Sequence, residues 1–331
     1  MSFMIKADFF EKLNGKVKCT LCPHNCVIQK DKKGLCGARK NINSNLFSLV
    51  YGKPVSMSIE PIEKKPLFHF FPGRSILSYS TVGCNFSCKF CQNWSISQAS
   101  PEDFDVEYVA PEKVVENAEK SLGIAHTYTE PTIYFEYAYD IAKLGKKAGL
   151  KNVLVTNGYI NEEPLKKISR VIDAVNIDLK AFNDNFYEKI CGARIEPVLK
   201  AIKNYQRKCW IEVTNMIIPG LNDNSDEIKQ MCEWLYSVNP SIPLHFSRFF
   251  PHYKMKDIDS TDLKTLTKAK EIAEEAGLKY VYLGNTGKSE NSFCPFCGGI
   301  VVERKDFYVI NSYLTEDKKC PKCGKKLDFV F

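Results

Sequence analysis

The sequence has no run of about 18 consecutive apolar residues, the length a helix needs to cross a bilayer. Its opening stretch, Met1 to Phe10, lacks the long apolar core of a secretory leader. No G-x-G-x-x-G opens a helix, which argues against a dinucleotide-binding fold. No internal repeat or low-complexity tract appears, and no compact basic and aromatic block marks a nucleic-acid surface. The expectation is a cytoplasmic protein with no membrane and no clear nucleic-acid partner. The net charge of +7 comes from lysines spread along the chain and reads as a solvated surface. With 331 residues, 44% of them hydrophobic, the chain is long enough for one large domain with small appendages.

Cysteine is what the chain has in abundance: 14 residues. In a reducing compartment that number argues for metal rather than disulfides. Eleven cysteines form three groups, and Cys191, Cys209 and Cys232 stand alone. The first group, Cys19, Cys22, Cys26 and Cys36, has the spacing C-x2-C-x3-C-x9-C and suits either structural zinc or a second iron–sulfur cluster, with His24 as a bystander or alternative ligand. The second, Cys84, Cys88 and Cys91, is spaced C-x3-C-x2-C with Phe90 just before the last thiol. Three thiolates can hold three irons of a cubane [4Fe–4S] cluster and leave one iron open, whereas a structural zinc knuckle is the plainer alternative. The third, Cys294, Cys297, Cys320 and Cys323, forms two CPxCG knuckles flanking a β-like stretch, the pattern of a zinc ribbon.

Between the second and third groups the pattern is strand, loop, helix, repeated. Strands are expected at 76–82, 124–129, 152–156, 173–179, 210–218 and 243–248, with a final strand at 280–283. Helices are expected at 111–121, 133–147, 162–170, 196–207, 225–236 and 261–276. Pro111 suits a helix start, and Gly149 and Gly277 suit helix stops. Such alternation predicts parallel βα units. The expected fold class is α/β: a partial (β/α)6 TIM-type barrel carrying an N-terminal four-Cys metal module and a C-terminal zinc ribbon. A doubly wound sheet is the alternative. The expected divisions are 1–45 for the N-terminal module, 46–75 for a connector or lid that sets His69 and Lys65 facing substrate, 76–287 for the barrel, and 288–331 for the ribbon. Polar residues recur where strands end, the functional face of a barrel, while the strand interiors read as apolar.

Cys84, Cys88, Phe90 and Cys91 resemble the signature of radical S-adenosylmethionine (SAM) enzymes. The chain around them is similar to the pyruvate formate-lyase-activating enzymes: it keeps Glu130-Pro131, Asp178-Leu-Lys180 and Thr156-Asn157-Gly158. It departs by placing Tyr128-Thr129 where those enzymes have two glycines, Val155 where they have an aspartate, and Thr214 where they have an arginine. The strings Cys19-Thr-Leu-Cys22-Pro-His-Asn-Cys26, Glu60-Pro-Ile-Glu-Lys-Lys-Pro66, His126-Thr-Tyr-Thr-Glu-Pro131, His245-Phe-Ser-Arg-Phe249 and Tyr282-Leu-Gly-Asn285 resemble the AmmeMemoRadiSam-system radical SAM enzymes more closely.

The resemblance implies a [4Fe–4S] cluster on Cys84, Cys88 and Cys91, SAM as cosubstrate, and a 5′-deoxyadenosyl radical that abstracts hydrogen. It implies a substrate in a protein partner of the Memo or Amme type, and an electron donor such as ferredoxin or flavodoxin. The SAM-contacting set it implies is Phe90, Glu130, Pro131, Thr156, Asn157, Asp178, Lys180, Thr214, Arg248 and His252. Within that set Glu130 takes the amine, Phe90 lies against adenine, and Lys180 and Arg248 balance carboxylate charge. Cys191, just past the fourth strand, is the candidate for a catalytic hydrogen-donating thiol, with a buried structural cysteine as the plainer reading. The alternatives are a small-molecule substrate or a non-catalytic multi-zinc scaffold.

Overall fold

Eight strands build the central sheet of the computed structural model, which describes residues 4–331; the first three residues of the 1–45 module lie outside the described residues. Strand β1 (Ser56–Pro61) pairs antiparallel with β2 (Ser75–Ser80). From β2 the sheet runs parallel through β3 (Gly123–His126), β4 (Lys151–Thr156), β5 (Ala174–Asp178), β6 (Trp210–Ile217), β7 (Leu244–Arg248) and β8 (Val281–Gly284). Spatial order follows chain order throughout, so the sheet winds in one direction and has no switch point. That is the partial-barrel arrangement, and it excludes the doubly wound alternative. The two edges, β1 and β8, are not hydrogen-bonded to each other.

The intervening helices are α1 (Pro111–Ala118), α2 (Phe135–Lys147), α3 (Glu162–Ile168), α4 (Ile195–Gln206), α5 (Ser225–Val238) and α6 (Leu263–Glu275). Their starts are written in the sequence. Pro111 occupies the first turn of α1, where a missing N–H does no harm. The Asn224 side chain accepts from Asp226 and Glu227 N–H groups, and Asp262 accepts from Lys264 N–H. On α4 the residues Val198, Ala201, Ile202 and Tyr205, three and four apart, bury one face against the sheet. Before α2, Pro131–Tyr134 forms a 3-10 turn because Pro131 follows Glu130, whose carboxylate caps Thr132 N–H at 3.0 Å.

The strand interiors are not apolar on both faces. Ser78, Ser80, Asn176, Glu212, Thr214 and His245 are all buried along the inner face, while their neighbours in sequence pack outward. The alternation Asn176-Ile177-Asp178 and Glu212-Val213-Thr214 carries this signal.

The 46–75 segment contributes β1 and then fills the lower end of the barrel. Glu212 accepts from Phe68 N–H (3.0 Å), His69 N–H (2.8 Å) and His245 Nε2 (2.7 Å). His69 is fully buried, its Nε2 2.6 Å from the Tyr282 hydroxyl. The lid reading is therefore corrected for His69: it plugs the barrel from beneath because a buried carboxylate needs donors.

The N-terminal region makes two small antiparallel sheets, one from Phe10–Leu13, Lys16–Cys19 and Val27–Ile28, the other from Ile5–Lys6, Arg39–Ile42 and Asn45–Ser48. The second runs past residue 45, the expected edge of the module. A buried ion pair between Arg39 and Glu136 of α2 ties this region to the barrel, and the Asn161 side chain donates to Thr20 O at 2.8 Å. The last region forms a three-stranded sheet, Ser292–Phe293, Ile300–Lys305 and Tyr308–Ser312. Buried Arg304 anchors it, lying 3.6 Å from Glu63 and donating to Phe68 O at 2.7 Å.

Candidate active site

The loop after β2 turns sharply at Gly83. Its φ of +98° suits glycine, and a Cβ there would stand 2.6 Å from the Cys36 carbonyl oxygen. Cys84, Cys88 and Cys91 follow. Cys91 N–H closes a turn on Cys88 O at 3.2 Å, and the Cys91 Sγ lies 3.2 Å from Ser97 Oγ. The far side of the loop is pinned to the segment after β5: Ser87 N–H donates to Cys191 O (2.9 Å) and Lys89 N–H to Ile190 O (3.1 Å). That segment is a π-type turn, Tyr187–Cys191, ended by Gly192 at φ +72°, where a Cβ would meet Ser87 Oγ at 2.6 Å.

All three thiols line one cavity of about 290 Å³ above the C-terminal ends of the strands. Of the residues expected from the sequence, Phe90, Glu130, Thr156, Asn157, Asp178, Lys180 and Thr214 line it too. Three others do not. Pro131 is buried in its 3-10 turn behind Glu130. Arg248 donates through Nε to Thr261 O at 2.7 Å and lies over the Phe250 ring. His252 sits in an exposed turn bridged to Met255. Cys191 is buried behind the loop, its thiol against Cys88 and off the cavity wall.

Glu130 is the most constrained group of the cavity. Its Oε1 accepts from Thr132 N–H (3.0 Å) and Thr156 Oγ1 (2.7 Å), and its Oε2 from Asn157 N–H (2.8 Å). Burial nevertheless pushes its pKa up. Asn157 in turn reaches Asn85 Oδ1 at 2.8 Å and stands 3.9 Å from Cys84 Sγ. Opposite, Lys180 Nζ pairs with Asp178 at 2.8 Å and lies 5.8 Å from the Phe90 ring centroid. Burial works against the Lys180 ammonium, but Asp178 and Cys88 outweigh it and raise its pKa. Burial and then the Glu130 charge push the Cys84 thiol up, whereas the hydrogen bond from Cys191 holds Cys88 down.

The sequence reading set Lys65 facing substrate, and Lys65 does line the mouth of this cavity, but it did not join Lys65 with Lys64, Glu60 and Tyr128 into one unit. Lys64, Lys65 and Tyr128 line that mouth. Glu60 accepts from the Tyr128 hydroxyl and from Lys65 Nζ (2.6 Å), and Lys65 Nζ lies 4.4 Å from the Tyr128 ring centroid. Burial opposes the Glu60 charge, yet Lys65 and Tyr128 outweigh it and hold the pKa at about 2. Tyr128 has φ +63°, a backbone state that favours glycine, and Asn93 Nδ2 secures its carbonyl at 2.7 Å. By resemblance the activating enzymes carry glycine at this place, and this chain holds a tyrosine in the backbone state that glycine favours. The signal was the Glu60-to-Pro66 string.

Comparison with known proteins decides the family. The sequence profile of the Radical SAM superfamily matches residues 78–235, the stretch that carries the three-cysteine loop and strands β3 to β6. The chain carries a Radical SAM superfamily domain. It is an enzyme of that oxidoreductase-like class, and the domain implies a [4Fe–4S] cluster and SAM. This radical SAM chain is 44% identical to an uncharacterized protein of Methanocaldococcus jannaschii, over 99% of this chain and 100% of the other. It is 24% identical to the pyruvate formate-lyase 1-activating enzyme of Escherichia coli strain K12, over 60% of this chain and 89% of that enzyme. Among solved structures it shares its fold with SuiB of Streptococcus suis bound to the precursor peptide SuiA, at a TM-score of 0.50 and 15% identity, covering 62% of this chain and 48% of that one.

Proposed function

We propose that Cys84, Cys88 and Cys91 hold three irons of a [4Fe–4S] cluster, and that this enzyme abstracts hydrogen from a polypeptide partner in the manner of an activase. The observation that carries the reading is the convergence of three thiols, the Glu130 carboxylate and the Asp178–Lys180 pair around one cavity. When bound, the cluster and SAM supply a 5′-deoxyadenosyl radical that takes a hydrogen atom from substrate.

The chain's own residues do the positioning. Glu130, fixed by three donors, keeps lone pairs for the amine of the methionine group. Lys180 meets its carboxylate, with Asp178 steering the ammonium. Asn157, Thr156 and Thr214 offer hydrogen bonds to the ribose, and Phe90 offers a ring face to adenine. Pro131 backs Glu130 from its buried turn. Arg248 and His252 belong to the rim of the site and act only if the 248–253 segment moves inward. Cys191 is a positioning residue: its carbonyl accepts from Ser87 N–H at 2.9 Å and holds the loop beside Cys88.

A cavity of about 290 Å³ lies near the lower end of the range for one drug-sized ligand. The cluster and SAM would occupy it together, so the substrate approaches through the mouth between Tyr128, Lys64 and Lys65. A loop presented by a protein partner, of the Memo or Amme type by resemblance, fits that access better than a free small molecule. A low-potential donor of the ferredoxin or flavodoxin kind supplies the electron, the ribbon carries zinc, and the enzyme works in the cytoplasm.

The test is anaerobic reconstitution with iron and sulfide, reduction with dithionite, and quantification of 5′-deoxyadenosine. Product from wild type that vanishes in Cys88→Ala supports the reading; equal product from both refutes it. Electron paramagnetic resonance of the partner after turnover then separates a polypeptide radical from a small-molecule reaction.

A further inference from the structure

The N-terminal four cysteines differ from the C-terminal four in a way that bears on their metal. In the ribbon, Cys294 and Cys323 Sγ atoms are 3.6 Å apart, as are those of Cys297 and Cys320. All four lie within 4.8 Å of one another. Zinc requires this, because four bonds of about 2.3 Å in a tetrahedron set the sulfurs about 3.8 Å apart. Among the described residues the ribbon holds the only group of three or more such ligand atoms so closely gathered. Cys19, Cys22, Cys26 and Cys36 do not form such a group, and neither do Cys84, Cys88 and Cys91. A cubane cluster puts four irons and four sulfides between its thiolates, so its cysteines must stand farther apart than those of one zinc.

The N-terminal four surround a cavity of their own, walled by Leu21, Ile28 and Ile133. Arg39, 1% exposed, points Nη1 at Cys19 Sγ from 4.0 Å and offsets thiolate charge. His24 is not needed as a ligand, since its Nε2 is engaged with Asn85 O at 2.7 Å. This cavity also touches the barrel loop. Cys36 O packs on Gly83 so closely that a Cβ would stand 2.6 Å away, and Asn85 forms part of the cavity wall. Gly83 and Asn85 are the two chain neighbours of Cys84.

We propose that Cys19, Cys22, Cys26 and Cys36 hold a second [4Fe–4S] cluster that relays electrons to the barrel-mouth cluster through the Cys36–Gly83–Cys84 contact. This rests on the proposed cluster at Cys84, Cys88 and Cys91. The transfer balances as single electrons. An external low-potential one-electron donor loses one electron to the N-terminal cluster. The same electron passes to the barrel-mouth cluster, the N-terminal one returns to its resting charge, and no proton moves.

The experiment counts iron, acid-labile sulfide and zinc in the full chain, purified anaerobically, as wild type, Cys22→Ser/Cys36→Ser and Cys88→Ala/Cys91→Ala. The expected wild type has about eight irons and about one zinc per chain, and each variant keeps about four irons with the zinc unchanged. About four irons and two zincs in wild type overturns the second cluster, and that count stands whether or not the variants fold. Loss of iron in the barrel variant alone leaves the Proposed function intact while refuting this proposal; loss in the N-terminal variant alone keeps the N-terminal cluster but refutes the Proposed function, and the relay with it. For the relay, stopped-flow reduction of the barrel-mouth cluster by reduced ferredoxin is expected to slow by roughly an order of magnitude in Cys22→Ser/Cys36→Ser. An unchanged rate overturns the relay.

Discussion

Removing the Glu136 carboxylate should unseat the N-terminal region from the barrel. Arg39 is 1% exposed and its guanidinium pairs with Glu136 on α2. Glu136 also accepts from Asp8 N–H at 2.8 Å. In Glu136→Leu the guanidinium keeps only Asp8 O at 3.3 Å and Cys19 Sγ at 4.0 Å. Breaking a buried pair by deleting one partner costs about 3–5 kcal/mol, because the remaining charge is left in a poorly solvating interior. The Asp8 N–H loses its acceptor in the same step. Against a typical total stability of about 5–15 kcal/mol, this is a large fraction. Replacing both partners, Arg39→Met with Glu136→Leu, removes the orphaned charge and should recover most of the loss. The assay is urea denaturation of metal-loaded protein followed by circular dichroism, with limited proteolysis to show which region opens first. A loss under about 1 kcal/mol for Glu136→Leu would mean that the charge is already solvated. A double variant as unstable as the sum of the two single ones would show that the pair is not coupled. Either result refutes the reasoning.

Glu130→Gln puts an amide NH2 where one carboxylate oxygen now accepts, so either Asn157 or Thr132 N–H loses its acceptor, a cost of about 1–3 kcal/mol; SAM binding measured by equilibrium dialysis should weaken with it, and unchanged affinity would remove Glu130 from the amine site. Stripping the ribbon's metal with a chelator should raise amide exchange at Val301 and Val302, which are buried beside Cys294 and Cys320, while β3 to β6 stay protected; unchanged exchange would show that metal does not hold the ribbon. Acid should destabilise the fold before carboxylates titrate. Burial lowers His69 to about 4 and His126 to about 3 from 6.5, so between pH 6.5 and 4 the unfolded chain binds more protons. Stability then falls on acidification by about 1.4 kcal/mol per pH unit for each histidine. Glu60, held at about 2 against 4.5, loses its contribution as pH falls from 4.5 to 2, mostly below that window. His126→Gln should flatten the slope of the denaturation midpoint against pH, and a flat wild-type profile would refute the account.

The parallel core was legible because periodicity and punctuation agree there. Pro111, Asn224 and Asp262 mark helix starts, and the strands between them are short apolar runs. The three-cysteine loop and Glu130 were legible because metal and carboxylate chemistry restricts residue types. What escaped was set by contacts far apart in sequence. His69 is a histidine among aromatics in the chain, and only Glu212, 143 residues away, explains its burial. Gly192 looks like any helix stop until Ser87 is seen against it. Arg248 follows Ser247, which does line the cavity, but its Nε is taken by Thr261 O, a bond that no local pattern announces.

The cavity is built with two different kinds of electrostatic support. On the inner wall, Glu130 gathers two backbone N–H groups and a hydroxyl, so its charge is held by dipoles that cannot move away. At the mouth, Glu60 is balanced by the buried ammonium of Lys65 and by a phenol, with Lys64 at 3.4 Å. Fixed dipoles suit a cosubstrate that must return to the same pose at each turnover. Side-chain pairs can exchange partners, and an incoming carboxylate or peptide carbonyl could take Lys65 or Tyr128 from Glu60 without disturbing Glu130. The site that holds SAM in the proposed function is thereby insulated from the one that meets substrate. The added side chain of Tyr128, on a backbone suited to glycine, lines the cavity at that mouth.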